Sequence, residues 1–186
     1  MNMTIQEAIE KYRQSSEADP DSVSCYGITP RLAGEMPLSV AQQELVDRLR
    51  DGIALQLPSV SEEVFYRGSS FKYFENNLVG EPFVYMPFIS ATKELGEALR
   101  FLKEEEPVIL TVIAPSGSKF KQISDASVAT LENYEVLFQD ALTVEISETN
   151  PSEFNEIQQI QMQNAPTKDT PRFFTLILTP KDTVIR

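Results

Sequence analysis

The feature that most narrows the fold is an order of events along the chain. Helical patterns come first and a series of short strands follows, among them residues 108–114, a near-continuous apolar run of strand length. Before Ser61, residues 4–16 put Ile5, Ala8, Ile9 and Tyr12 on one helical face. Residues 17–37, punctuated by Pro20, Gly27, Pro30, Gly34 and Pro37, read as a loop and linker. Ser39 then caps a helix with Gln42 three residues on, as in a capping box; Val46, Leu49 and Ile53 mark its buried stripe and Pro58 ends it. After Ser61 the expected strands are 64–66, 88–90, 108–114, 119–123, 134–138, 142–146 and 173–179. Thr92 is expected to cap an intervening helix that carries Leu95, Ala98, Leu99 and Leu102 and ends in residues 103–106. Residues 71–83 read as a loop or short helix, 124–133 as a small-residue loop and 150–167 as a polar, exposed excursion. The order predicts an α+β fold. Residues 1–60 form a helical region and linker and 61–186 the main body, expected to make one compact domain.

Charge and cysteine content exclude several functions. The chain carries 28 acidic against 16 basic residues, a net charge of −12, and has no Lys or Arg between Lys121 and Lys168. Such a field repels nucleic-acid phosphates and anionic lipid and attracts a basic partner. No apolar run approaches membrane-spanning length, so neither nucleic acid nor membrane insertion is expected. With no His and a single Cys, Cys25, a zinc site is not expected and no internal disulfide forms. The first residues are polar and helical, and no cleaved secretory signal is expected.

Three places carry chemistry that their setting does not require. Arg67 follows an apolar strand and precedes Gly68. A part-buried guanidinium seeks a carboxylate or phosphate, and glycine permits close approach to the backbone. Ser90 lies at a strand end inward of Thr92, whose own hydroxyl suits a helix cap. Glu135 lies in a strand where Tyr134, Val136 and Phe138 share one face, and it shares the other with Leu137. Taken singly, Arg67 is an ion-pair partner, Thr92 a cap and Glu135 a solvated acid.

An Arg at one strand end, a Ser at another and a Glu at a third, in that order and with a helix after the second, resemble the mono-ADP-ribosyltransferase family of the Arg–Ser–Glu class, which includes bacterial toxins and effectors. The matching residues are 64–68, 88–92 with Leu95, Ala98 and Phe101, and 134–138, so the resemblance spans about residues 64–146. It implies an ADP-ribosyltransferase-like fold, with N-terminal helices followed by a split two-sheet β core around an NAD cleft. By the same resemblance, Arg67 holds the NAD phosphates, Gly68 meets the nicotinamide carboxamide, and Ser90 orients Glu135 with Thr92 in support. Phe88 either lines the nicotinamide pocket or belongs to the core. Glu135 binds the nicotinamide ribose and stabilises positive charge as nicotinamide leaves, as in glycoside cleavage. NAD enters as substrate, and no metal is called for.

The sequence departs from the family pattern at two points. Ser90–Ala91–Thr92 replaces the usual Ser–Thr–Ser, keeping the first hydroxyl and substituting another for the last. Asn133 stands two before Glu135, where arginine-modifying members carry Glu and asparagine-modifying Rho toxins carry Gln; Glu132 lies one residue earlier. An amide at Asn133 suits an amide or hydroxyl acceptor better than a guanidinium. Asn133, Glu132 and Tyr134 are therefore the expected acceptor-recognition residues. The leading expectation is an enzyme that transfers ADP-ribose from NAD to a protein acceptor, one with a basic surface. It acts as a monomer, either cytosolic or delivered into a target cell. An NAD glycohydrolase and a non-catalytic binding module on the same scaffold are the alternatives.

Overall fold

In the computed structural model the apolar run is an inner strand of an eight-stranded sheet. The structure describes residues 3–14, 19, 21–34, 36–71, 74, 79–124 and 134–180. The strands are β1 (Glu63–Ser70), β2 (Phe83–Tyr85), β3 (Ile89–Thr92), β4 (Pro107–Ala114), β5 (Phe120–Gln122), β6 (Glu135–Phe138), β7 (Leu142–Glu148) and β8 (Arg172–Thr179). Their order is β2-β7-β8-β4-β1-β3-β6-β5. Strand β4 lies between β1, antiparallel to it, and β8, parallel to it. Val108, Leu110, Val112 and Ala114 enter the main core on one face, and Ile109 joins a second cluster on the other. Burial on both faces is why this strand reads as continuous rather than alternating.

The sheet has a seam. Strand β1 pairs with β4 along its whole length, from Glu63↔Ala114 to Ser70↔Pro107, but it meets β3 only at Tyr66↔Thr92. The order thus divides into five strands (β2, β7, β8, β4, β1) and three (β3, β6, β5), the counterpart within one sheet of the split two-sheet core that the resemblance implies. Phe65 bridges the two parts, edge-on to Phe120 at 5.2 Å and to Phe138 at 5.3 Å. Full pairing with β4 also makes β1 longer than the 64–66 expected, so Arg67 lies within the strand rather than at its end.

Helices α1 (Ile5–Arg13) and α3 (Val40–Ala54) each carry a reciprocal capping box, Thr4 with Glu7 and Ser39 with Gln42. Ala8, Ile9 and Tyr12 of α1 and Leu45, Val46, Leu49 and Ile53 of α3 pack with Phe88, Ile123 and Leu137. That packing lays the helices over one face of the three-stranded part.

Several expectations about elements are corrected. Residues 17–37 contain a helix, α2 (Cys25–Leu32), despite Gly27 and Pro30. Ile28 is fully buried, and a Cβ at Gly27 would lie 2.1 Å from the Ser22 carbonyl oxygen, so packing outweighs propensity here. Phe83 begins strand β2 rather than ending a loop, because β2 adds onto the edge of β7. Thr92 remains in β3 and does not cap α4 (Leu95–Leu99), whose N-cap is Glu94. The Thr92 hydroxyl accepts the Glu94 amide at 3.3 Å instead, and α4 stops at Leu99 rather than running on to Lys103. Residues 150–167 hold a short 3₁₀ turn and α5 (Glu156–Gln163), started by an Asn155–Gln158 capping box. Glu132 and Asn133 lie outside the described residues.

A part-buried ion pair ties the helical layer to the sheet. Arg50 of α3 donates from Nε (3.0 Å) and Nη2 (2.6 Å) to the two carboxylate oxygens of Asp140, in the β6–β7 turn. The Asp140 side chain is 1% exposed. Removing the guanidinium strands a buried carboxylate, a change that costs about 3 kcal/mol or more. Arg50→Ala is therefore expected to lower unfolding stability by that order in urea denaturation, whereas Arg48→Ala, which breaks only an exposed pair with Asp51, is expected to change it by less than about 1 kcal/mol.

Candidate active site

Arg67 points into the seam. Beyond Tyr66↔Thr92 strands β1 and β3 part, and the Arg67 guanidinium fills the gap. Its Nη1 donates to the Ser90 carbonyl oxygen (2.8 Å) and to Ser90 Oγ (2.9 Å). A side chain thus provides a link between β1 and β3 where ladder pairing has ended. Arg67 Nε is buried and has no acceptor among the described residues. An orphaned donor on a permanently charged group is suited to an anionic ligand.

Glu135 opens β6, with Thr92↔Glu135 and Ser90↔Leu137 in register. Ser90, Thr92, Glu135 and Leu137 therefore share one face of the β3–β6 pair, while Ala91, Val136 and Phe138 face the main core. Leu137 is buried beneath α1 and α3, which places Glu135 at the edge of the helical layer. There its Oε2 lies 3.6 Å from Arg13 Nε, at the C-terminal end of α1. The Glu135 backbone is fixed by Ile123, whose amide donates to the Glu135 carbonyl (2.9 Å), and by Ser124 Oγ, which accepts the Glu135 amide (3.3 Å). Burial raises the Glu135 carboxyl above its ordinary pKa, while Arg13 and Arg67 pull it back down.

These side chains converge on one cleft of about 370 Å³, lined by Tyr12 and Arg13 of α1, Cys25, Tyr26, Thr29 and Pro30 of α2, and Tyr66, Arg67, Gly68, Ser90, Thr92, Phe101, Lys103 and Glu135. The volume falls in the usual range for small-molecule sites. The structure thus brings Arg67, Gly68, Ser90, Thr92 and Glu135 together. Phe88 is not among the lining residues; it is 2% exposed and packs edge-on to Tyr12 at 6.2 Å, the core alternative of its two expected positions. Tyr134 does not line the cleft either and lies against the main core. Ser90 Oγ engages Arg67, and no hydrogen bond joins it to Glu135 among the described residues. Gly68 has a structural reason to lack a side chain: a Cβ there would lie 2.2 Å from the Ala98 carbonyl oxygen of α4.

Sequence reasoning placed N-terminal helices before the β core around the cleft but missed the side chains that α1 and α2 put into it. Arg13 is part-exposed and its ion pair is long, so it is free to exchange partners at little cost. The available signal was its position directly after Tyr12, at the end of the apolar stripe of α1. Cys25 and Tyr12 both have their pKa pushed up, chiefly by burial, with the Glu135 charge adding to it. Both therefore stay neutral near pH 7, and neither is an activated nucleophile.

No protein-family model matches the sequence, and no curated protein matches it either. The fold does match solved structures. C3stau2 from S. aureus, solved with NAD, superposes with a TM-score of 0.59 at 15% identity, covering 97% of this chain and 99% of that one. The Clostridium limosum C3 exoenzyme gives 0.57 at 18%, covering 96% and 97%. Exoenzyme S from Pseudomonas aeruginosa, bound to carba-NAD and human 14-3-3 protein beta, gives 0.59 at 14%, covering 92% and 72%. At these identities the likeness establishes the α+β fold of the ADP-ribosyltransferase toxins.

The raised Glu135 pKa has a consequence for stability. A carboxyl whose pKa is higher folded than unfolded binds more protons in the folded state, so stability falls as pH rises through the folded value. At neutral pH the ionised Glu135 is thus a net cost to the fold. Glu135→Gln is expected to melt at the same or a higher temperature than the native protein at pH 7.5, with any gain shrinking as the pH falls toward the ordinary glutamate range near about 4.3. Calorimetric melting across this range measures it.

Proposed function

We propose that the protein is a mono-ADP-ribosyltransferase of the Arg–Ser–Glu class, which cleaves NAD at the nicotinamide–ribose bond and transfers ADP-ribose to a protein side chain. The observation that carries this reading is the convergence of Arg67, Ser90 and Glu135 on one cleft, with the buried Arg67 Nε lacking an acceptor. The fold shared with toxins solved with NAD or carba-NAD supports it.

In this reading Arg67 anchors the diphosphate of NAD, its guanidinium already oriented by the Ser90 oxygens. Arg13, released from Glu135, adds a second cation. Glu135 accepts a hydrogen bond from the nicotinamide ribose, and its carboxylate faces the positive charge that develops on the sugar. The bond from ribose C1′ to the pyridinium nitrogen breaks with its electron pair leaving on nicotinamide. The acceptor then bonds to C1′ and loses its proton. A carboxylate fixed in a part-buried site stabilises that charge more than a solvated one does. Asn133 and Glu132 are proposed to contact the acceptor side chain. The toxin relatives in fold support action on a protein of another cell, reached by a dedicated delivery route.

Three outcomes test this. Glu135→Gln is expected to lower nicotinamide release from NAD by about 10²-fold or more, while circular dichroism stays native. Arg67→Lys keeps the charge but not the fork, and is expected to raise KM for NAD more than it changes kcat. The native rate is expected to rise with pH along an acid limb lying above that of a free glutamate, because Glu135 must be ionised to act. Nicotinamide release by Glu135→Gln at the native rate would remove the assignment.

A further inference from the structure

Helix α5 is built with its polar side inward. Gln158 Nε2 donates to the Tyr66 hydroxyl (2.8 Å), Gln159 Nε2 donates to the Phe154 carbonyl (2.8 Å), and Met162 packs into the α4 cluster. Ile157 and Ile160, one helical turn apart, point the other way and are 70% and 58% exposed. A surface helix ordinarily turns such residues toward the core. Single exposed apolar residues are common; two of them on one short helix that turns Gln158 and Met162 to the body instead are a different observation.

The charge around this face indicates what covers it. Glu153 and Glu156 are exposed beside the isoleucines, and no Lys or Arg occurs between Lys121 and Lys168. A second copy, with its own net charge of −12, would bring like charge to like. The location indicates which kind of partner it is: Gln158 fastens α5 to Tyr66, a residue of the cleft that also holds Glu135, so a protein seated on α5 is joined through that bond to the site. We infer that the outer face of α5, Glu156–Ile157–Ile160, is the docking surface for the acceptor protein, through an apolar patch on that protein bordered by Lys and Arg. This rests on the transferase reading above and extends it to substrate selection.

The test separates docking from NAD chemistry. The full chain and two variants, Ile157→Ser/Ile160→Ser and Glu153→Lys/Glu156→Lys, are compared in two assays: nicotinamide release, and transfer of biotinylated ADP-ribose to proteins of a cell lysate. All four positions are exposed, and native circular dichroism and melting are expected. Docking through α5 predicts that both variants lose labelling of the native enzyme's main target at least tenfold, with nicotinamide release within twofold of native. Native labelling by both variants overturns the inference while leaving the enzyme assignment intact. So does sedimentation showing a native dimer that the isoleucine variant dissolves, since the face then serves a second copy. Nicotinamide release with no protein labelled also overturns it. If the native chain releases no nicotinamide, the transferase reading falls and the docking inference falls with it.

Discussion

The contact on which the site depends is the pair of hydrogen bonds from Arg67 Nη1 to the Ser90 carbonyl and hydroxyl oxygens. Strands β1 and β3 share one register pair and then separate, and a sheet that opens in this way leaves backbone groups without ladder partners. The guanidinium takes up one of them and holds the two parts of the sheet at a fixed distance. The same group lines the cleft and keeps one buried donor unpartnered. In the proposed reading, structural and ligand-binding demands therefore meet in one side chain, and lysine, with no planar fork, meets neither as well.

The second constraint is the packing of α1 and α3 over Leu137, next to Glu135 on the same strand face. It turns a strand-edge acid into the floor of a cleft. Burial disfavours the ionised form, and Arg13 and Arg67 partly restore it. Holding the ionised carboxylate there costs some stability at neutral pH, the trade that the proposed electrostatic role would require.

Arg67, Ser90 and Glu135 were legible in the sequence because each is a polar residue in an apolar strand, and because their order along the chain matches a known pattern. The facing of Glu135 and Leu137 to one side followed from the two-residue period of a strand, and the register with β3 agrees. The capping boxes at Thr4, a box not anticipated, and at Ser39, which was, rest on contacts within four residues. What could not be read depends on contacts distant in sequence. The single β1–β3 pair, the approach of Arg13 to Glu135 and the backbone of α4 against Gly68 join segments that no local pattern connects. Helices α2 and α5 escaped for a related reason. Gly27 and Pro30 look like loop punctuation until the buried Ile28 is seen, and the glutamines of α5 look like a solvated loop until Tyr66 is seen as a partner.

The central claim is that the seam between β1 and β3, with the α1–α2 layer above it, holds NAD so that its ribose meets Glu135. A crystal structure of the full chain with a non-cleavable NAD analogue tests this most directly. The account predicts the diphosphate on the Arg67 guanidinium, including its Nε, a nicotinamide-ribose hydroxyl within hydrogen-bond distance of Glu135, and Arg13 moved from Glu135 toward the phosphates. An analogue bound elsewhere, with the Arg13–Glu135 pair intact and Arg67 Nε still without an acceptor, would contradict it.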